Sequence, residues 1–465
     1  MEKGCVIKMS NPGALKFVDL FSGLGGFHVA LSQMGHDCVY ACELDERLRN
    51  VYSKNFEITP NADIRECWDK VPNHDILCAG FPCQPFSKAG TQLGFNCPNS
   101  GDLFNYILKI IDANRPQYLI FENVPNLIKH NKGETWNRIY NELTDRGYGV
   151  DFKEISPHEI GIPQIRRRAI IVGSLSGLDS FKWPEPTHSE SDLHISSILD
   201  KNPPEATPLT SAHIEYLTVW NEFLEILGPN AKMPSFPIWA MEFGANYPFE
   251  VRAPSTYSQS HLSRFKGAFG VQLKGSKENQ LQIIPSYARQ DVCYFPDWKV
   301  RFIQQNRDFY NENQKKLEKW LPKVMQFHPS FQKLEWNWQD GNKYIWDKVL
   351  QFRASGIRVK KPSTAPSLVA LTSSQVPIIP WEKRYMTVKE CSRLQSLGGL
   401  RHLPPNKTRA FKALGNAVNA DVISVVAKKL IVPQSRPEKK MHTQQQPDLQ
   451  SLRQEFRGNR HEQKY

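Results

Sequence analysis

No apolar run in the 465 residues approaches the ~20 needed to span a bilayer, and the N-terminus lacks a signal-peptide pattern. A cytoplasmic protein is expected. The nine cysteines contain no paired Cys-x-x-Cys clusters, which argues against a disulfide framework and a structural zinc site alike. Reduced thiols and no metal are expected. No internal repeat is visible, so solenoid and propeller architectures are set aside. Acidic residues are the minority, 47 against 59 Lys plus Arg, for a net charge of +12, which favours a polyanionic partner without specifying one. With 40% hydrophobic and 23% charged residues, the composition is that of a soluble globular protein large enough for two domains.

What is present is organised around Gly80-Phe81-Pro82-Cys83-Gln84-Pro85-Phe86-Ser87. The apolar run just before it, Asp75 to Ala79, reads as a buried strand, so Cys83 falls where a strand gives way to a loop. Sites of open α/β sheets lie beyond the carboxyl ends of strands, and the flanking prolines restrict the backbone around the thiol. A nucleophile suits that position, and so does a small buried hydrophobe.

Upstream, Lys16 to Phe21 reads as a buried strand that Ser22-Gly23-Leu24-Gly25-Gly26 turns into a helix over Phe27 to Met34. Glycines there allow a ligand close to the backbone and present amide donors, although many structural turns look the same. A second strand, Cys38 to Cys42, ends on Glu43, the acidic position that holds ribose hydroxyls in nucleotide-type α/β sites. Asp102 to Asn114 has helical apolar spacing. Tyr118 to Phe121 is another buried strand running into Glu122-Asn123-Val124, where a carboxylate at a strand end is either a satisfied structural acid or one with a tuned pKa. Gln164, Arg166 and Arg168 alternate onto one face before the strand Ala169 to Gly173, with Arg167 facing away.

Taken together, G-F-P-C-Q-P-F-S, D-L-F-S-G-L-G-G, E-N-V and Q-I-R-R-R, in that set of positions, resemble the motifs of the cytosine-5 DNA methyltransferases of the bacterial or phage modification type. The resemblance covers residues 16–174 and roughly 350–430. It implies an α/β fold with a doubly wound, mostly parallel sheet, Rossmann-like, plus a second, irregular target-recognition domain. Catalytic residues 1–178 are completed by 406–431, target recognition occupies 179–405, and 432–465, rich in Gln and charge, is read as a disordered tail. The implied cofactor is S-adenosyl-L-methionine, held by Asp19, Phe21, Gly23, Leu24, Gly25, Gly26, Glu43, Asp63, Ile64, Pro82, Leu103, Asn416 and Val418. Phe21 lies against the adenine, Glu43 on the ribose, and Asp63 accepts from the adenine amino group. Cys83 is the implied nucleophile, Glu122 acts at cytosine nitrogen 3, Arg168 holds the carbonyl oxygen and Arg166 lies near the thiolate and its phosphate.

The polar, glycine-punctuated segment 88–101 corresponds to the family's mobile loop over the flipped base, with Lys88, Thr91 and Gln92 on DNA. Arg353, Arg358 and Lys360, in a basic stretch that follows a region without βα rhythm, are read either as a solvated face or as DNA-backbone contacts. Thr387 to Gln395 matches a structural family motif, and Ala413 to Val418 opens a helix to Leu430 that completes the cofactor pocket. Departures from the pattern are Leu44 where Trp is frequent, Ala62 where Gly is frequent, Ser100 in place of an Arg, and Val388-Lys389 in place of Pro-Arg. The expected activity is transfer of a methyl group to carbon 5 of cytosine in double-stranded DNA. A restriction endonuclease acting on the same site, without direct contact, is a further expected partner. An RNA methyltransferase would use the same residues, but the transfer-RNA branch's Cys-Phe-Thr tripeptide is absent. A binding-only homologue would have no use for Cys83, Glu122 and Arg168 together.

Overall fold

The computed structural model describes residues 13–82, 103–229, 231–338, 341–368 and 375–431. Cys83, Lys88, Thr91, Gln92 and the rest of 83–102 lie outside the described residues, as does the tail 432–465.

Strands β1 (Lys16–Leu20), β2 (Asp37–Cys42), β3 (Ile76–Ala79), β4 (Tyr118–Asn123), β5 (Gly149–Ile155) and β6 (Arg168–Ser174) form a six-stranded sheet in the order β2-β1-β3-β4-β6-β5. The four strands β2, β1, β3 and β4 run parallel, whereas β6 is antiparallel to β4 and to β5. Every residue of β3 and β4 is buried. Such unbroken apolar runs are what a strand needs when helices cover both faces of its sheet. One face carries the Leu103–Asn114 helix, through Phe104, Ile107 and Ile111, together with Leu77, Leu119 and Phe121. The other carries the Gly26–Ser32 and Ala420–Leu430 helices, through Ala30, Leu31, Val422, Ile423 and Val426, together with Phe17, Ile76 and Ile120. The chain leaves β1 for β2 on one side and returns to β3 on the other. The crevice at the carboxyl ends of β1 and β3 is therefore the switch point at which doubly wound sheets bind ligands.

A second six-stranded sheet has the order β12-β11-β9-β10-β8-β7, from β7 (Ile238–Trp239), β8 (Lys333–Trp336), β9 (Val349–Arg353), β10 (Gly356–Lys360), β11 (Ile378–Ile379) and β12 (Arg384–Tyr385). Two long helices, Ser211–Leu227 and Asp297–Leu317, accompany it. The region expected to be irregular thus holds a mixed sheet with its own core around Trp220, Phe223 and Trp320. Its strands are as short as two residues and separated by long connections, which is why no period showed in the sequence.

The C-terminal motif also departs from expectation. Instead of one helix to Leu430, the Lys407–Asn416 helix stops, Ala417 is extended, and a new helix begins at Ala420 with Asn419 as its N-cap, its side chain accepting from the Val422 amide at 3.0 Å. The break leaves the carbonyls of Gly415 and Ala417 available to partners outside the helix.

Candidate active site

The glycine loop after β1 begins with backbone strain. Phe21 has φ 55°, in the left-handed region that a bulky side chain rarely adopts, and Gly23 and Gly25 follow at φ 52° and 83°. Two positions tolerate no side chain. A Cβ on Gly25 would lie 2.4 Å from Phe56, and one on Gly26 would lie 2.4 Å from the Val418 carbonyl oxygen. Glu43, at the end of β2, closes the loop from the side, its two oxygens each accepting a backbone N–H, from Gly23 and from Asp45, both at 2.9 Å. Burial raises its pKa against those hydrogen bonds.

Beneath the loop Asp19 is wholly buried, accepting from the Tyr52 hydroxyl at 3.2 Å, and Tyr52 in turn meets His28 Nδ1 at 2.7 Å. Burial pushes the Asp19 carboxyl well above the usual carboxylate range. Asp19 therefore supports the loop from below. Leu24, Ile64 and Leu103 are buried, and Leu44 is 67% exposed beside Glu43.

Asp63 caps the short helix Ile64–Cys67, and its carboxylate is held by Arg65, whose hydrogen bonds depress its pKa. An adenine amino group would share that carboxylate with Arg65. Asn416 is exposed, and Val418 sits between Gly26 and Gly80, whose Cβ would come 3.3 Å from the Val418 methyl. The residues fit a nucleoside cofactor: the Ser22 hydroxyl and one Asp19 oxygen are buried without a protein partner, and a side chain on Gly23 would meet nothing nearer than 4.0 Å.

Glu122, the penultimate residue of β4, is buried and lies 2.9 Å from Arg168 Nε. The antiparallel pairing of β4 with β6 puts Glu122 opposite Ile170 and Asn123 opposite Ala169, bringing Arg168 to the same sheet edge. Burial raises the Glu122 pKa, with Arg168 and then Arg166 opposing, so desolvation outweighs the ion pair. Such a carboxyl is tuned toward carrying a proton.

Arg166 is buried and donates to the carbonyls of Leu368 at 3.0 Å, Gly415 at 2.7 Å and Ala417 at 3.2 Å. Asn123, for which sequence reasoning assigned no separate task, donates from Nδ2 to the Phe81 carbonyl at 3.2 Å and accepts from the Val124 amide at 2.9 Å. It ties the end of β4 to the segment leading through Pro82 into Cys83. Its place between Glu122 and Val124 in the matched triplet was the available signal.

The basic stretch is not a row of free cations. Arg358 pairs with Glu335 at 2.8 Å and Arg353 approaches the same oxygen at 3.9 Å, while Lys360 is desolvated enough for burial to lower its pKa. In the Thr387 motif a capping box joins Thr387 and Glu390, and Arg384 grips Glu390 through two 2.9 Å bonds. The expected structural role of that motif matches this arrangement. No cluster of three or more potential metal ligands occurs among the described residues.

A doubly wound sheet, a strained glycine loop at its switch point and a buried acid paired with arginine at the neighbouring strand end define an α/β enzyme with a nucleoside-type crevice. The chain belongs to the C-5 cytosine-specific DNA methylase family, whose model matches residues 15–432. It is a DNA (cytosine-5) methyltransferase. It is similar along most of its length to Type II methyltransferase M.AluI of Cellulosimicrobium cellulans, 29% identical over 88% of this chain and 90% of that one. Similarity to M.BanI of Aneurinibacillus aneurinilyticus is 28% over 90% and 95% of the two chains. Identity to M.HhaI of Haemophilus parahaemolyticus rises to 39%, over 39% of this chain and 56% of that protein.

Proposed function

We propose that the enzyme methylates one cytosine within a defined sequence of double-stranded DNA by covalent catalysis, using S-adenosyl-L-methionine. The carrying observation is the buried Glu122–Arg168 pair beside the Asn123–Phe81 tie that leads into Cys83. Carbon 5 of cytosine is a weak nucleophile, and addition of the Cys83 thiolate at carbon 6 converts the ring into an enamine. Glu122, its pKa raised, supplies the proton at nitrogen 3 as addition proceeds, and Arg168 donates to the carbonyl oxygen. The Phe21–Gly26 loop, with Glu43 on the ribose, would hold the cofactor, whose sulfonium would supply a methyl group to carbon 5 of the enamine and leave as the neutral thioether. Removal of the carbon-5 proton restores the double bond and expels the thiol. These ring atoms are enclosed in a duplex, so the target base is flipped out, at a cost of a few kcal/mol that protein–DNA contacts offset.

Arg166 acts as a positioning residue. By holding the Gly415 and Ala417 carbonyls it sets Val418 against Gly26 and Gly80, joining the cofactor loop to the strand that delivers Cys83. The likeness to Type II enzymes supports a modification role beside a restriction endonuclease that acts on the same site without touching this protein.

Trapping on a 5-fluorocytosine duplex tests the chemistry. Wild-type protein forms a stable covalent complex, whereas Cys83→Ala forms none yet retains DNA binding, because phosphate contacts dominate affinity. An adduct on the Cys83→Ala protein would place the nucleophile elsewhere.

A further inference from the structure

Asp63 is held in place by its main chain. Residues 61–63 run on from the end of β2: the Glu43 amide donates to the Asn61 carbonyl at 2.9 Å, and the Asn61 amide donates to the Ala41 carbonyl at 2.8 Å. The Cys42 thiol donates to the Ala62 carbonyl at 3.3 Å. Asp63 is thereby brought to the end of β2 that carries Glu43. Its own carbonyl accepts from the Cys67 thiol at 2.9 Å and from the Glu66 amide at 3.0 Å, and Cys67 Sγ lies 3.8 Å from Cys42 Sγ. The carboxylate therefore has a fixed position, and whatever binds it must come to it.

Arg65 takes up that carboxylate almost completely. Its amide and its Nε both reach Oδ1 at 3.0 Å, while Nε and Nη2 reach Oδ2 at 3.0 and 2.5 Å. A carboxylate offers about four acceptor positions, so these four contacts leave none for a further donor. Glu43 differs. One main-chain amide on each of its oxygens, from Gly23 and Asp45, leaves acceptor positions open to ribose hydroxyls. The two acids assigned to the cofactor thus stand in different states, one ready and one occupied by a side chain of the same protein. That side chain is able to withdraw: Arg65 is 41% exposed, against 16% for Asp63.

We propose that Arg65 is a latch on the cofactor site, its guanidinium and the adenine amino group competing for the Asp63 carboxylate, so that the cofactor binds by displacing part of the Arg65 grip. The inference rests on the reading of the crevice as an S-adenosyl-L-methionine site with Asp63 at the adenine. The helix cap survives the exchange, because the Arg65 amide keeps Oδ1 while the guanidinium leaves Oδ2. An ion pair open to water on one side is weak enough to be exchanged in this way. The methyl donor and the spent S-adenosylhomocysteine carry the same amino group. Arg65 therefore lowers the affinity for both, and its return to Asp63 favours release of the product.

Titration calorimetry with S-adenosylhomocysteine, on the full-length protein without DNA, tests this. Arg65→Ala is expected to bind about 2- to 10-fold more tightly than wild type, the range that a partly exposed ion pair supplies. Arg65→Lys keeps the charge but cannot span both oxygens, and its affinity is expected to fall between the two. With an analogue that carries hydrogen in place of the 6-amino group, and so asks nothing of Asp63, the gain is expected to vanish. Unchanged or weaker binding of S-adenosylhomocysteine by the folded variants would overturn the latch, as would an equal gain for the analogue. If Arg65→Ala does not fold, Arg65→Lys decides by the same two comparisons. Failure of the wild-type protein to bind S-adenosylhomocysteine at all would overturn the cofactor reading, and the latch with it.

Discussion

At the scale of single residues, two carboxyls with raised pKa values serve different ends. Glu122 faces Arg168 near the end of β4, whereas Asp19 faces Tyr52 beneath the glycine loop, in the interior. For Asp19 the sign of the pH effect follows from linkage. Its folded pKa lies above the unfolded value of about 3.9. The stability it contributes is therefore fully present below the unfolded pKa and is lost as pH rises toward and through the folded pKa, because the unfolded chain ionises first. Asp19→Asn removes that loss. Thermal melts between acid and neutral pH are expected to show the Asn variant gaining on wild type as pH rises. A difference independent of pH would mean that Asp19 titrates alike in both states. Glu122→Gln keeps the shape of the site but cannot deliver a proton, and a fall in the single-turnover rate of about 10²- to 10⁴-fold is expected, with cofactor affinity retained. A fall below tenfold would take proton delivery away from Glu122.

Among elements, the junction that matters is the one between the Gly26–Ser32 helix and the segment Gly415–Val418. They are nearly four hundred residues apart in the chain, and the close approach of Gly26 to the Val418 carbonyl is what lets the last helix seat on the first. Gly26→Ala is compatible with the helical backbone, so its effect isolates the contact. The new methyl group must push the Val418 main chain away. A loss of about 1–3 kcal/mol of stability is expected from such overpacking, with weaker cofactor binding by calorimetry. A variant with wild-type melting temperature and affinity would show that Val418 yields without consequence.

At the scale of the whole molecule, the core under the first sheet also takes residues from the middle of the chain. Ile195, Val349, Ala365, Leu368, Met386, Cys391 and Leu394, all between 179 and 405, belong to the same core as Phe17, Ile120 and Ile423. Strand β9 is buried on both faces, with Val349 in that core and Leu350 in the core of the second sheet. Chimeras that exchange 179–405 with a relative would replace all of these residues in the core under the catalytic sheet. Exchanges bounded near 205 and 361 keep residues 365–431 native. The narrower chimera is expected to fold and to carry the donor's methylated sequence, read by melting temperature and bisulfite sequencing, and the wider one to lose stability. Equal stability of the two would put the domain boundary back at 179 and 405.

The sequence by itself determined five of the six strands of the first sheet, because each depends on a short run of chain. Buried strands at Ile76 and Tyr118 announce themselves by unbroken apolar residues, and Glu43 and Glu122 by lying where such runs stop. The break at Ala417 and the cap at Asn419 carry a local signal in Gly415, Asn416 and Asn419, but the carbonyls they free matter only once Arg166 arrives from 249 residues away. The pairing of Arg353 and Arg358 with Glu335 was likewise invisible, since it is formed by strands that become neighbours only in the second sheet. Local pattern records which face of an element is apolar. Which polar groups are taken out of water, and by which partners, is decided by packing between segments distant in the chain, and only the tertiary structure contains it.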